Sequence, residues 1–449
     1  MRRSAHGRRV IGCLALLAAL AAILGGCGGS NQRHAISATV ADSGAPAVAS
    51  RPAPAPAPSP PSRATAALRA ALDKQFRHAG PSSGGAVYDL SDGKSLFALR
   101  AGVARPPASV EKLYTSVAVL SDLGPGARLR TKVMGTGHLG AGGVWHGDLY
   151  LVGGGDPTFG DGGFNRAWEG GYGPTAAQLA SQLEARGIRG VSGHLIADGS
   201  MFDDRRGPPS SGFAPDVGDL GGQLGGLTYD HGATTRKLSP GAFAAHELAL
   251  TLHARHVSVR ASRAAAAAPL GAHQLASASS PPMSVLLRLM DVPSDDFFAE
   301  MLTKQLGLHF GVGGGTTAAG ASVISDAVAS YGVHPQIVDG SGLSRSDRSS
   351  PGQVVRLLRA LQGKTIDGEL RRSLPVVGES GTVQRIAANT AARGACIAKT
   401  GTLNGVTNLA GWCHSRGGKL LAFALFIDGP PNWRALPMLS AMVTSIARF

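Results

Sequence analysis

The chain has 449 residues, 64 of them glycine, with only 5 % aromatic content: enough length for more than one core, and a composition suited to many turns. Its net charge is +14; four arginines fall within the first nine residues, leaving +10 for the remainder. Excess positive charge suits an anionic partner, but no basic cluster with interleaved aromatics is present, so nucleic acid is not an expected partner.

Residues 1–27 read as an export segment. Arg2, Arg3, Arg8 and Arg9 precede an apolar run from Val10 to Leu24 that is too short and too rich in Ala and Gly for a membrane span. Leu24-Gly25-Gly26-Cys27 resembles a bacterial lipoprotein cleavage box, which makes Cys27 the expected lipid-bearing N-terminus and the attachment to a membrane. Ordinary signal cleavage without lipid is the alternative. From 28 to 64 the sequence is rich in Ala, Pro and Ser and reads as a disordered tether.

The globular part opens with a helical pattern over 65–76 and a hairpin, 86–90 with 95–99, turning at Asp92-Gly93. Arg105-Pro106-Pro107-Ala108-Ser109 stops that extended segment, after which Leu113, Val117 and Leu120 recur with helical period. Strands are expected at 129–137 and 147–153. Gly153-Gly154-Gly155-Asp156-Pro157 lacks the Gly-Lys-Ser/Thr ending of a phosphate loop and reads as a structural turn. Helix 175–186, strand 194–197, helix 242–256 and strand 257–261 follow. His253 and His256 have the spacing of two metal ligands, but no third ligand accompanies them, and paired surface histidines are the better reading. Helices at 283–290, 296–306, 318–331 and 351–362 precede strands at 394–402, 407–414 and 420–428 and a last helix at 433–449. Strands at both chain ends imply an α/β (α+β) domain assembled from 65–125 and 280–449, with 126–279 as a β-rich insertion.

Ser109 and Lys112 form Ser-x-x-Lys at a helix start, where unpaired backbone N–H groups favour developing negative charge. A serine with an amine in reach becomes a nucleophile if that amine is held neutral. Ser91-Asp92-Gly93-Lys94 has the same spacing but reads as the hairpin turn, so spacing alone proves little. Two later stretches supply partners: Ser294-Asp295-Asp296 before a helix, and Lys399-Thr400-Gly401-Thr402 near the end of a strand. In this order the three are the motif set of serine β-lactamases and penicillin-binding proteins. LYLVGGGDP at 149–157, DGSGLS at 339–344, Leu374-Pro375 with Gly381-Thr382, and AKTGTLNGVTNLAG at 398–411 complete the pattern. With these the chain resembles peptidase family S13, the class C low-molecular-mass penicillin-binding proteins, which are D-alanyl-D-alanine carboxypeptidases and endopeptidases.

The resemblance implies an antiparallel sheet flanked by helices, of the β-lactamase and penicillin-binding-protein type. It implies peptidoglycan stem peptides as substrates, β-lactams as acylating inhibitors, a location in the cell-wall space, and no metal or cofactor. Ser109 would attack the carbonyl between two D-alanines, Lys112 would take its proton, and Ser294 would relay a proton to the leaving amine. Lys399, Thr400, Gly401 and Thr402 would hold the terminal carboxylate. Asp296 departs from the family, which has asparagine there. A carboxylate only accepts, whereas an amide also donates. Two readings follow, an active enzyme with altered preference or a wall-binding protein that acylates slowly or not at all. A β-lactamase or esterase is the alternative on the same chemistry.

Asn404-Gly405 is a two-residue hairpin turn, so Leu403 should face Val406. Seven residues further out on each strand, Cys396 faces Cys413 in a non-hydrogen-bonded pair, with Cα atoms about 4.5 Å apart. An exported protein is expected to close that pair as a disulfide.

Overall fold

The computed structural model describes residues 62–234 and 238–449. The export segment, Cys27 and nearly all of the tether lie outside the described residues. Among the described residues no helix is long and apolar enough to cross a membrane.

The chain starts with α1 (Arg63–Ala79), capped by Ser62, whose hydroxyl accepts from the Thr65 N–H; Leu68, Leu72 and Phe76 form its buried stripe. The hairpin β1 (Gly84–Asp89) and β2 (Lys94–Leu99) follows. Its turn is closed by the Asp89 carboxylate, which accepts from the N–H groups of Ser91 and Asp92. The second Ser-x-x-Lys is therefore a turn. A 3₁₀ turn at Ala108–Glu111 leads into α2 (Lys112–Ala118), which widens to a π-helical turn over Val119–Leu123.

Next come β3 (Arg130–Gly135), β4 (His138–Leu139), β5 (Val144–His146), β6 (Leu149–Val152), α3 (Gly162–Trp168), α4 (Ala176–Ala185) and β7 (Gly190–Asp198). They are followed by α5 (Val217–Leu220), α6 (Pro240–His253), β8 (Ser258–Ala265) and β9 (His273–Ser279). Helices α7 (Met283–Asp291), α8 (Asp296–Phe310), α9 (Thr317–Ala329), α10 (Pro351–Ala360) and α11 (Asp367–Ser373) precede the closing strands. These are β10 (Cys396–Leu403), β11 (Val406–His414) and β12 (Leu420–Asp428), and the chain ends in α12 (Asn432–Arg448).

Two sheets result. The first has five antiparallel strands in the order β10-β11-β12-β1-β2, drawn from both ends of the described chain. Both of its faces are buried, and the side-chain period of two divides β12 between them. Leu421, Phe423, Leu425 and Ile427 join α1 and α12, through Leu72, Phe76, Leu439 and Val443. Ala422, Ala424 and Phe426 join α2 and α8, through Leu113, Val117, Phe298 and Leu302. The Ala108–Glu111 turn lies on this second face, with Val110 in its core.

The second sheet runs β4-β5-β7-β6-β3-β9, with β8 paired to β7; its β7 neighbours are parallel and the remaining pairs antiparallel. Leu179 and Leu183 of α4 and Leu248 and Leu252 of α6 bury it together with Val133, Leu151 and Leu195. Strand β9, HQLASAS, was not expected: its small residues have weak strand propensity, and pairing with β3 supplies what they lack. The architecture is thus a mixed α/β fold whose antiparallel sheet is flanked by helices.

Candidate active site

Arg105 pairs with Ser349 through two backbone hydrogen bonds, and the chain then passes Pro106 and Pro107 to Ala108, whose φ of +49° is unusual for alanine. Ser109 follows in the 3₁₀ turn, and Lys112 opens α2 with its side chain fully buried. Lys112 Nζ has three partners, one for each hydrogen: Ser109 Oγ at 3.1 Å, the Ser341 carbonyl at 2.7 Å, and Asp296 Oδ1 in an ion pair.

The Ser341 carbonyl is held in place by its own loop. Glu300 Oε1 accepts from the N–H groups of Gly340 and Ser341 at 3.1 and 3.0 Å, and the Asp339 carboxylate accepts from Gly342 and Ser344 at 2.7 and 2.8 Å. Gly342 combines a φ of +82° with a position where a Cβ would stand 2.0 Å from the Ala108 carbonyl. A side chain there would push this loop off the Ala108–Glu111 turn.

The second motif occupies the turn between α7 and α8. Ser294 has φ +67°, a left-handed conformation that directs the chain into α8. Asp295 caps that helix by accepting from the Phe298 N–H at 2.9 Å, and burial pushes its carboxyl up to about 6. Asp296, one residue on, is the partner of Lys112. Ser294 Oγ accepts from Lys399 Nζ at 2.7 Å, and that amine also donates to the Thr400 carbonyl at 3.1 Å. Burial, then the charge of Lys112, lowers Lys399 to about 7.

Strand β10 passes over the Ala108–Glu111 turn. A Cβ on Gly401 would lie 2.3 Å from the Pro107 carbonyl and 3.1 Å from the Val110 nitrogen, so only glycine permits the approach. Thr400 Oγ1 bonds Thr382 Oγ1 at 2.8 Å, and Thr402 is exposed. Ser109, Lys112, Ser294, Asp296, Lys399, Thr400, Gly401 and Thr402 therefore converge, although they come from three distant stretches of sequence. A cleft of about 610 Å³ is lined by Thr402 together with Leu343, Arg345, Asn404, Pro209 and Asp219.

The two cysteines are bonded. Register pairs Leu403 with Val406 and Cys396 with Cys413, with 4.0 Å between the latter's Cα atoms. Residues 153–156 form an irregular segment tied to its neighbours, Gly153 N–H donating to the Asp198 carbonyl and Gly155 N–H to the Gly226 carbonyl; the turn itself comes at Pro157–Thr158, where Asp156 Oδ1 accepts from the Thr158 N–H and hydroxyl. The His253 ring accepts from the Val259 N–H at 3.2 Å.

Sequence reading missed a group of buried acids behind Lys112. Glu111 is fully buried, and neither carboxyl oxygen has a hydrogen-bond partner. Burial, then Asp347 and Asp339, push it well above the ordinary range. Burial takes Asp347 to about 9 and Glu300 to about 8, with Asp339 adding to both. Asp291, to which Ser116 and Ser373 donate, sits at about 6, again through burial. Glu111 and Asp339 lie inside quoted motifs, but nothing in the spacing of the five acids marks them as one buried group, which only the fold assembles.

A family model described as the D-Ala-D-Ala carboxypeptidase 3 (S13) family matches residues 64–217 and 219–448. This chain belongs to that family. It is similar to a D-alanyl-D-alanine carboxypeptidase of Actinomadura sp. (27 % identical, 82 % of each chain) and to the carboxypeptidase DacB of Mycolicibacterium smegmatis (30 % identical, 80 % of each chain). The S13 chain also shares its fold with penicillin binding protein 4 of Haemophilus influenzae, at TM-score 0.69 and 18 % identity, over 84 % of this chain and 99 % of the other. Its membership makes it an enzyme, a carboxypeptidase of the serine type.

Proposed function

We propose that this S13 enzyme cleaves the D-Ala–D-Ala bond of peptidoglycan stem peptides through an acyl-enzyme on Ser109. The observation that carries the reading is the pair of serine–lysine contacts, Ser109 with Lys112 and Ser294 with Lys399, with Asp296, two residues after Ser294, paired to Lys112. Lys112, once neutral, takes the Ser109 proton as Oγ bonds the carbonyl carbon. The N–H groups of Ser109 and Thr402 hold the oxyanion, each worth about 3–4 kcal/mol of barrier. As the C–N bond breaks, Ser294 passes a proton to the departing D-alanine, and water later releases the shortened peptide. Lys399 and the hydroxyls of Thr400 and Thr402 hold the terminal carboxylate. Gly401 gives β10 the close approach that places them.

β-Lactams acylate the same serine in this reading. The chain is exported to the wall space, anchored through lipid on Cys27 and reaching its substrate on the 28–64 tether. The decisive experiment is incubation with a fluorescent penicillin before a denaturing gel, beside an assay for released D-alanine. Covalent label and D-alanine release, both abolished in Ser109→Ala, are expected. An unlabelled, inactive wild-type protein would favour the non-catalytic reading that Asp296 raises, and rapid loss of label would favour a β-lactamase.

A further inference from the structure

The nucleophile turn is reached through two prolines, Pro106 and Pro107. Neither has an N–H, so this stretch has no donor of its own to pair with a neighbour; it offers only carbonyls. Both carbonyls accept from one side chain, and the Pro107 carbonyl also accepts from the Val110 N–H at 3.3 Å. Asn408 on β11 faces Gly401 in the β10–β11 register and is 1 % exposed. Its Nδ2 donates to the Pro106 carbonyl at 3.0 Å and to the Pro107 carbonyl at 2.9 Å. An amide nitrogen carries two hydrogens, and each has its own acceptor here. The reverse orientation of the amide would set Oδ1 against two carbonyl oxygens, so the assignment is unambiguous.

Asn408 and Gly401 act on the same atom from one hairpin. Asn408 draws the Pro107 carbonyl toward β11, while Gly401 lets β10 come against it. The next two residues are Ala108, at φ +49°, and Ser109. The residue after Gly401 is Thr402. The separation between the Ser109 and Thr402 backbones is thereby set one or two residues from each of them. Neither Asn408 nor the prolines belong to the serine, lysine and threonine groups that act on substrate.

We propose that Asn408 is a positioning residue that fixes the Ser109 and Thr402 N–H groups at the separation an oxyanion requires. This rests on Ser109 being the acylated nucleophile, so wild-type protein is tested first, with a fluorescent penicillin and a D-Ala-D-Ala-terminated peptide. If it neither labels nor releases D-alanine, the acyl-enzyme reading falls, and this proposal with it.

With active wild type, Asn408→Ala is expected to lower kcat by about 10- to 100-fold with KM within about threefold, the size of effect that a small misplacement of reacting groups produces. A peptide boronic acid, whose tetrahedral adduct fills the oxyanion position, should lose affinity by the same factor as kcat. Asn408→Asp keeps the shape but, when ionised, has no hydrogen to donate. Its kcat should be low at neutral pH and recover partly as the carboxyl is protonated, an acid limb that wild type lacks. A folded Asn408→Ala with kcat within about twofold of wild type overturns the proposal. So does lost kcat with unchanged boronic acid affinity. If Asn408→Ala does not fold, Asn408→Asp decides; if circular dichroism shows neither folded, Asn408 is a folding residue and the proposal is overturned.

Discussion

Lys112 has no free hydrogen: Ser109, Ser341 and Asp296 take all three. To serve as a base it must give up the charge that Asp296 faces. Asparagine at 296 keeps an acceptor for Lys112, adds a donor toward the substrate's acyl side and removes the anion. A charge-assisted hydrogen bond exceeds a neutral one by about 1 kcal/mol, so Asp296→Asn is expected to speed acylation by about five- to tenfold at neutral pH. Stopped-flow labelling with a fluorescent penicillin measures this, and a slower variant would show that the carboxylate assists the reaction. In the proposed mechanism the second lysine holds the substrate's terminal carboxylate. Lys399 is cationic below its pKa of about 7, so kcat/KM for a carboxylate-terminated peptide should fall by about tenfold per unit as pH rises above 7. Lys399→Arg, cationic throughout, should lose that limb whatever its absolute rate.

At the scale of elements, much of the chain was legible. The closing strands, α1, α8 and the β1–β2 hairpin lie within a few residues of where periodicity and turn chemistry place them. The Asn404-Gly405 turn even gave the Cys396–Cys413 register, because a two-residue turn leaves one way to pair the strands. Helix α2 was less legible. Its apolar spacing suggested a helix from Ser109, yet regular α-helix covers only Lys112–Ala118, and all seven of its residues are buried, including Lys112, Tyr114, Thr115 and Ser116. A stripe pattern assumes a solvent face, and this helix has none because the sheet, α8 and α9 enclose it. The disulfide belongs to this scale too. Denatured, unreduced protein should show no free thiol from Cys396 or Cys413, and Cys396→Ala with Cys413→Ala should lower stability by about 3 kcal/mol in a denaturant melt.

For the molecule as a whole, the buried acids set the response to pH. Glu300 and Asp347 have folded values near 8 and 9, and Glu111 is likewise raised, whereas in the unfolded chain each titrates near its ordinary value, about 4. Their contribution is complete below that ordinary value and is lost as pH rises toward the folded one. The melting temperature should therefore fall steadily from about pH 5 to 7, the window below the titration of Lys399. Asp347→Asn should shallow that slope in a calorimetric series, and a flat wild-type curve would show these carboxyls ionised in the fold. The sequence by itself determined the S13 motifs, the order in which they come, and the pairing of the last hairpin, because local spacing and turn chemistry encode each of them. Only the tertiary structure decided that Asp296 pairs with Lys112, that burial lowers the pKa of Lys399, and that Asn408 grips the proline carbonyls. Those outcomes depend on burial and on contacts between residues up to 302 positions apart, and neither is written in the spacing of any motif.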